Sequence, residues 1–388
     1  MTAHDTTGTV AGIMLERLRT GSQPGQRADD HVVAVAIEGG GMRGVVSAGM
    51  LVALEQVGLS SAIDLVVGTS AGAISGAFFA TGQAVEGSAL FHTALLSDAF
   101  LDRSRLIRRE AALDLDHLID DAAAARGLDL TVLAAGKIPL YATVSPVEPD
   151  NPTRFFRVAG DPSRMAAILK ASASLPVIAG GSRMVDGEHY VDGGLHEQVP
   201  WRTAAALGAT HVLVLPSRPV VAQVDLDSLS FVERLAVLPV VRRFHGDYVA
   251  SLVAELPRRS TYAAWNLRAV ADGLATPVRF GMEGPWPSEV EAAIDLEPGD
   301  EVDAPVGPAK REWVHGQGPP RFDIVELDRD IALPRRLERS RPLLVDALID
   351  GAEAVVRHFE FADVAVEQRV VLTHPEVLVK KYRSEVLA

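Results

Sequence analysis

The stretch "GTSAG", Gly68 to Gly72, sets a serine between two glycines, behind the apolar run "IDLVVG" and ahead of "AGAISGAFFATG". A strand that turns sharply into a helix at Ser70 makes a nucleophile elbow. The hydroxyl stands above the sheet edge, the glycines leave room for crowded backbone, and the helix N-terminus favours negative charge developing there. Such a serine needs a base, and the oxyanion formed when it attacks a carbonyl needs N–H donors. Upstream, "AIEGGGMRGVV" (36–46) supplies Gly39, Gly40 and Gly41, then Arg43 and Gly44, where an apolar run should become a helix. Downstream, "YVDGGLHEQVP" supplies Asp192, followed by Gly193 and Gly194, at the end of a strand. Two glycines there let the chain turn away and leave the carboxylate facing the sheet edge. Asp186-Gly187, a little earlier, has the chemistry of a hairpin tip and is expected to serve turn geometry alone.

The glycine-rich loop admits two chemistries. Gly39 to Gly44 satisfies G-x-G-x-x-G between a strand and a helix, as a dinucleotide site would, and Asp64 lies near where the ribose-binding acid is expected. That acid belongs at the end of the second strand, however, and Asp64 stands at its beginning. The alternative is an oxyanion hole, with the N–H groups of Gly40 and Gly41, and that of Ala71 in addition, directed at the carbonyl attacked by Ser70. Arg43 then either adds a positive charge or makes a structural salt bridge.

These residues need a sheet to hold them. "HVVAVAI" (31–37) is a nearly unbroken apolar run suited to a buried parallel strand, and "VVSAGMLVALEQVG" to a helix ending at Gly58. "IDLVVG" (63–68) and the helix behind it repeat the unit, which implies right-handed crossovers and a parallel sheet. Helix is expected over 87–127, strands over 138–145 and 153–158, and a helix opened by Asp161-Pro162. "SRMVDGEHYV" reads as a hairpin and "THVLVLPS" (210–217) as another buried strand. Beyond 218 the pattern gives helices over 228–256 and 258–272, an acidic, proline-rich surface excursion over about 283–320, a strand over 321–327 and a helix in "RSRPLLVDALIDGAEAVVRHF". The expected division is a flexible leader with a short helix over 1–30, a catalytic core over 31–217, and a mainly helical part over 218–388 packed on the same domain.

Composition narrows the function. The chain has 388 residues, 48% hydrophobic and 23% charged, enough for a large core. A net charge of −14 argues against nucleic acid and against attraction to anionic membranes by bulk charge. The absence of cysteine excludes disulfides, thiolate–zinc sites and a cysteine nucleophile. The N-terminus lacks the basic start and apolar run of a secretory signal, so a cytoplasmic location is expected. Leu65 to Val85 carries no charge and repeats glycine at 68, 72 and 76, as membrane helices do, but its β-branched start and the break at Gly-Thr-Ser favour strand and helix.

With the three motifs together, the chain resembles the patatin-like phospholipases, which carry a G-G-G-x-R/K-G oxyanion loop, a G-x-S-x-G nucleophile and a D-G-G/A aspartate in that order. "ASASLP" (171–176) adds to the resemblance, which covers about residues 31–217. After Asp192 the family often has Asn-Asn, where this chain has Glu197-Gln198. The resemblance implies an α/β fold: a three-layer α/β/α sandwich with a mostly parallel central sheet. It also implies a Ser70–Asp192 dyad that hydrolyses acyl esters of lipids with no metal or cofactor. Gly39, Gly40, Gly41 and Ala71 would form the oxyanion hole, supported by Arg43, Gly44, Gly68, Gly72, Gly193 and Gly194. The implied partner is a phospholipid or other acyl-ester lipid, with transient peripheral contact to a membrane, and an oligomer is open. Two other classes compete. A Ser–Asp–His carboxylesterase would recruit His196 or His211, which follow Asp192. A non-catalytic protein would use the glycine loop to bind acyl lipid or nucleotide.

Overall fold

The computed structural model describes residues 8–106, 108, 110–220, 231–271, 320–328 and 331–359. The acidic, proline-rich stretch expected over about 283–320 lies outside the described residues, apart from its last position. At the centre is a mixed sheet whose strands β1 (Val33–Ile37), β2 (Leu65–Gly68) and β3 (Leu140–Pro146) lie side by side. The strand β4 (Phe155–Arg157) and the hairpin of β5 (Arg183–Val185) and β6 (Glu188–Asp192) join on the side of β3. On the other flank β1 pairs with β7 (His211–Leu215), and β7 with β8 (Arg321–Ile324). The β1–β2, β2–β3, β1–β7 and β7–β8 pairings are parallel; β4, β5 and β6 enter antiparallel.

The alternation along β1 separates two cores. Val33, Val35 and Ile37 join one cluster with the helices α2 (Val45–Gln56), α3 (Ala71–Ala80), α4 (Ala84–His92) and α6 (Pro162–Ser172). Ala34 and Ala36 face the opposite cluster with Trp201 and Ala204 of α7 (Trp201–Ala206), and with Leu267 of α8 (Phe231–Ala271). A central sheet covered on both faces is why its strands read as unbroken apolar runs. The result is the expected three-layer α/β/α arrangement. Local signals act as the sequence indicates. Asp161 accepts the Ser163 and Arg164 N–H groups to start α6, with Pro162 in its first turn. Asp186 and Gly187, at φ 51° and 89°, form the hairpin tip.

Several expectations need correction. Residues 21–30 are not a free leader. Arg17 of α1 (Val10–Thr20) is buried, bonding Asp64 at 2.6 Å and Asp29 at 2.6 Å, and Arg27 holds the other Asp64 oxygen at 2.7 Å. Asp64 also accepts the Val33 N–H, so the residue weighed as a ribose ligand is the counter-ion that fixes the N-terminal segment to the sheet. The helix expected over 87–127 breaks after His92. Its middle folds back through a Leu101–Leu113 bridge, and His117–Ala123 winds as a π-helix. The physical reason is that Leu95, Phe100, Leu113, Leu115 and Leu118 face a cavity instead of a helical stripe. The two helices expected over 228–272 are continuous apart from a break at Gly246 (φ 80°, ψ 175°). Leu65 to Val85 is, as expected, strand and helix: β2, the turn at Ser70, α3 and the first residues of α4. No helix among the described residues is long and apolar enough to cross a membrane.

The last helix among the described residues, α9 (Arg341–His358), presses on α2, the helix that follows the glycine loop. Their backbones meet at paired glycines. A Cβ on Gly351 would lie 2.0 Å from the Val46 carbonyl oxygen, and one on Gly49 2.0 Å from that of Leu348. Any side chain there must part the two helices. Gly351→Val is therefore expected to cost about 3 kcal/mol or more, read as a lowered urea midpoint, and an unchanged midpoint contradicts the packing.

Candidate active site

Ser70 occupies φ 54° and ψ −123°, a conformation that costs a non-glycine residue roughly 1–3 kcal/mol and persists only when its surroundings impose it. Two close approaches impose it. A Cβ on Gly72 would sit 2.6 Å from the Ile37 carbonyl oxygen, and one on Gly68 would sit 2.5 Å from the Cα of Ala73. The turn from β2 into α3 is thus folded hard against the end of β1. The Ser70 N–H donates to the buried Ser172 Oγ at 3.0 Å. Thr69 Oγ1 lies 2.7 Å from Thr143 Oγ1 and donates to the Glu197 carbonyl at 2.9 Å. Ser70 therefore stands at the mouth of a fixed elbow.

Asp192 ends β6 opposite Val144, just past the point where β3 pairs with Gly68. Its N–H donates to the Ser174 carbonyl at 3.0 Å, and Gly194 N–H donates to its Oδ1 at 2.7 Å. One short segment, "ASASLP", thus braces both halves of the pair: Ser172 holds the Ser70 backbone and Ser174 holds that of Asp192. Ala173 and Leu175, the alternate residues, line the cavity. Burial pushes the Asp192 carboxyl up to about 6, against the opposing pull of the Ser70 hydroxyl, the Gly194 N–H and the Arg336 charge. No histidine is among the groups acting on it.

The glycine loop leaves β1 and reaches the same cavity, whose lining includes Gly39, Gly40, Gly41, Ser70 and Asp192. The N–H groups of Gly40, Gly41 and Ala71 have no acceptor among the described residues, so they remain available to an oxyanion. Gly39 is a correction: its N–H donates to the Gln198 carbonyl at 3.0 Å, which removes it from the donor set. Gly41 has φ +58°, and a Cβ on it would meet the Arg336 carbonyl oxygen at 2.7 Å. Arg43 is buried beneath the loop, where its Nε donates to Ser217 Oγ at 3.2 Å, and it lines neither cavity beside Ser70. Gly44 lets this turn close on Ala71, and Gly193 lets the chain after Asp192 lie on the Thr143 backbone.

Glu197 and Gln198 also acquire definite tasks. The Glu197 carboxylate accepts the Arg202 N–H at 2.7 Å and the Thr203 hydroxyl at 2.6 Å, capping α7, while Gln198 anchors Gly39. The two candidate histidines are occupied elsewhere. His196 meets the Tyr248 hydroxyl at 3.1 Å. His211 begins β7, at the opposite end of the parallel strands from Ser70, with Thr210 Oγ1 at 2.9 Å and its pKa lowered to about 4, mainly by burial.

Two site residues escaped the sequence reading. Ser172 could have been found from its place in "ASASLP". Arg336 belongs to a segment without a motif; its carbonyl accepts the Met42 N–H at 3.0 Å, tying residues 331–340 to the glycine loop.

The raised Asp192 pKa fixes two outcomes. As a base it must be ionised, so kcat/KM on a neutral ester should fall about tenfold per pH unit below about 6. The charged form is disfavoured in the folded state, so its cost is present above about 6 and disappears as pH falls toward 3.8. A shift of roughly two units corresponds to at most about 3 kcal/mol. Asp192→Asn should therefore lose activity yet melt higher than wild type at neutral pH, with the difference vanishing in acid; equal melting at both pH values contradicts a buried, destabilised carboxylate.

Residues 35–205 match the family model of the patatin-like phospholipases. The chain is also similar to an uncharacterized protein, YjjU, of Escherichia coli (strain K12), at 27% identity over 218 residues. That match covers 55% of this chain and 57% of YjjU, so the chain spans less than two thirds of the length of this curated relative. The order of glycine loop, nucleophile elbow and buried aspartate lies within the matched region, and it is this part of the chain that is similar to the patatin-like phospholipase family.

Proposed function

We propose that the chain hydrolyses acyl esters of lipids, as a phospholipase A, lysophospholipase or related acyl hydrolase, through a Ser70–Asp192 dyad. The observation that carries this reading is the strained Ser70 elbow sharing one cavity with a buried, proton-accepting Asp192 and with the unbonded N–H groups of Gly40 and Gly41. Asp192 takes the Ser70 proton as Oγ attacks the ester carbonyl. The N–H groups of Gly40, Gly41 and Ala71 hold the oxyanion, and removing one such donor typically costs about 100- to 1,000-fold in rate. The tetrahedral intermediate collapses, Asp192 returns the proton to the departing alcohol, and the acyl group stays on Ser70. Water, deprotonated by Asp192, then attacks the acyl-enzyme; the carboxylic acid leaves and Ser70 regains its proton.

A lipid acyl chain suits the adjoining cavity, whose walls include Ile74, Phe78, Phe91, Phe100 and Leu118. The raised Asp192 pKa supports the dyad, since a carboxyl near its ordinary value is a weak base at neutral pH. A panel of phospholipids, lysophospholipids and simple esters on wild type beside Ser70→Ala tests the reading. Wild type should release free fatty acid, and Ser70→Ala should retain less than about one-thousandth of that rate with unchanged circular dichroism. Equal release by both would contradict Ser70 as the nucleophile, and release by neither would leave a protein that binds acyl lipid without cleaving it.

A further inference from the structure

The apolar cavity beside Ser70 follows one face of α3. Ala71, Ile74, Ser75 and Phe78 line it, at the spacing of a single helical stripe that begins next to the nucleophile. Helix α4 runs back along the same cleft. At the Ser70 end the Phe91 ring lies by the glycine loop, where a Cβ on Gly44 would be 2.9 Å from the Ala71 Cβ and 3.5 Å from Phe91 Cζ. At the other end Gly87 rests on Phe78, so that a Cβ there would lie 2.5 Å from Phe78 Cγ. Just past Phe78 a tight turn joins the two helices. In it the Gly82 N–H donates to the Phe79 carbonyl at 3.0 Å and the Gln83 N–H to that of Phe78 at 2.8 Å. Phe100, Leu115 and Leu118, from the segment that folds back after His92, supply a further wall.

A cleft between two helices is closed where a turn joins them, so a chain entering from Ser70 meets Phe78 at the far end. Helix geometry sets the depth: Ala71 to Phe78 is about two turns, or roughly 11 Å. An extended acyl chain, with C–C bonds of about 1.5 Å, advances roughly 1.25 Å per carbon, so about eight carbons span that distance. The Phe78 ring is buried and already in contact with α4 at Gly87, so a longer chain must displace packed side chains. We infer that this cleft is a blind acyl channel ended by Phe78, which admits acyl groups of about eight to ten carbons and excludes longer ones. The inference rests on the proposed acyl hydrolysis at Ser70 and deepens it by assigning the acyl end of the substrate.

The p-nitrophenyl esters of butanoic, octanoic and lauric acid, all below their micellar concentrations, provide the test. The readouts are ratios of kcat/KM between two esters, so a difference in the amount of active enzyme cancels. Wild type should favour octanoate over both others, with laurate at least about 10-fold below it. Phe78→Ala lengthens the channel and should raise the laurate-to-octanoate ratio about 10-fold or more. Ile74→Phe sets a ring about one turn nearer Ser70 and should lower the octanoate-to-butanoate ratio by a similar factor. Wild type that cleaves laurate as well as octanoate overturns the inference, as does a laurate-to-octanoate ratio in Phe78→Ala within about 3-fold of wild type. If Phe78→Ala does not fold, Ile74→Phe decides, and an unchanged octanoate-to-butanoate ratio overturns the inference equally. Equilibrium binding of the octanoate and laurate esters to Ser70→Ala, with and without Phe78→Ala, separates the two proposals. Turnover of no ester by wild type would count against the hydrolase reading alone. Binding of laurate to Ser70→Ala as tight as that of octanoate would count against the blind channel alone.

Discussion

Ser70 is held where a residue with a side chain does not rest willingly, and the surrounding architecture follows from that constraint. The turn closes because Gly72 lies on the Ile37 carbonyl and Gly68 on the first residues of α3, so β1 and β2 must be adjacent, parallel and in register. The same adjacency brings the glycine loop after β1 alongside the serine after β2. The Ser70 N–H then needs a buried acceptor, which Ser172 supplies from the end of α6. Removing any of these contacts would let the backbone relax toward an ordinary conformation and carry the hydroxyl away from its partners.

Asp192 carries a second constraint of the opposite kind. Its carboxylate is buried, which raises its pKa and makes its charged form costly, and a carboxylate of raised pKa is a stronger base. The structure limits this cost with the Ser70 hydroxyl, one N–H from Gly194 and the nearby Arg336 charge, and supplies no full counter-ion at contact distance among the described residues. This contrasts with Asp64, also buried, which two arginines and a backbone N–H satisfy completely. In Asp64 burial comes with pairing and makes an anchor; in Asp192 burial comes without a paired cation and raises the pKa.

The sequence displayed the matched half of this account more clearly than the rest. Ser70, Asp192 and the glycine loop are legible because each depends on local chain geometry: a strand end, a glycine, a turn. The apolar runs of β1, β2 and β7 were likewise readable, being covered on both faces. Gly39 was assigned as a donor because nothing in the sequence records that Gln198, far along the chain, takes its N–H. Arg336 is invisible for the same reason, since its contact with Met42 arises from a distant segment folding over the loop. The segment after His92 was misread because the apolar residues that suggested helix line a cavity, and apolar spacing alone does not distinguish a cavity wall from a helix face.

The acyl-enzyme is the chemical species on which the account stands. Rapid acid quenching of the protein during turnover of a short-chain ester, followed by peptide mass spectrometry, detects it directly. The account requires a single acyl group on Ser70 in wild type, and none above background in Asp192→Asn. Turnover without any acyl-enzyme under conditions where deacylation is slow, or an acyl group carried on a different residue, would contradict it.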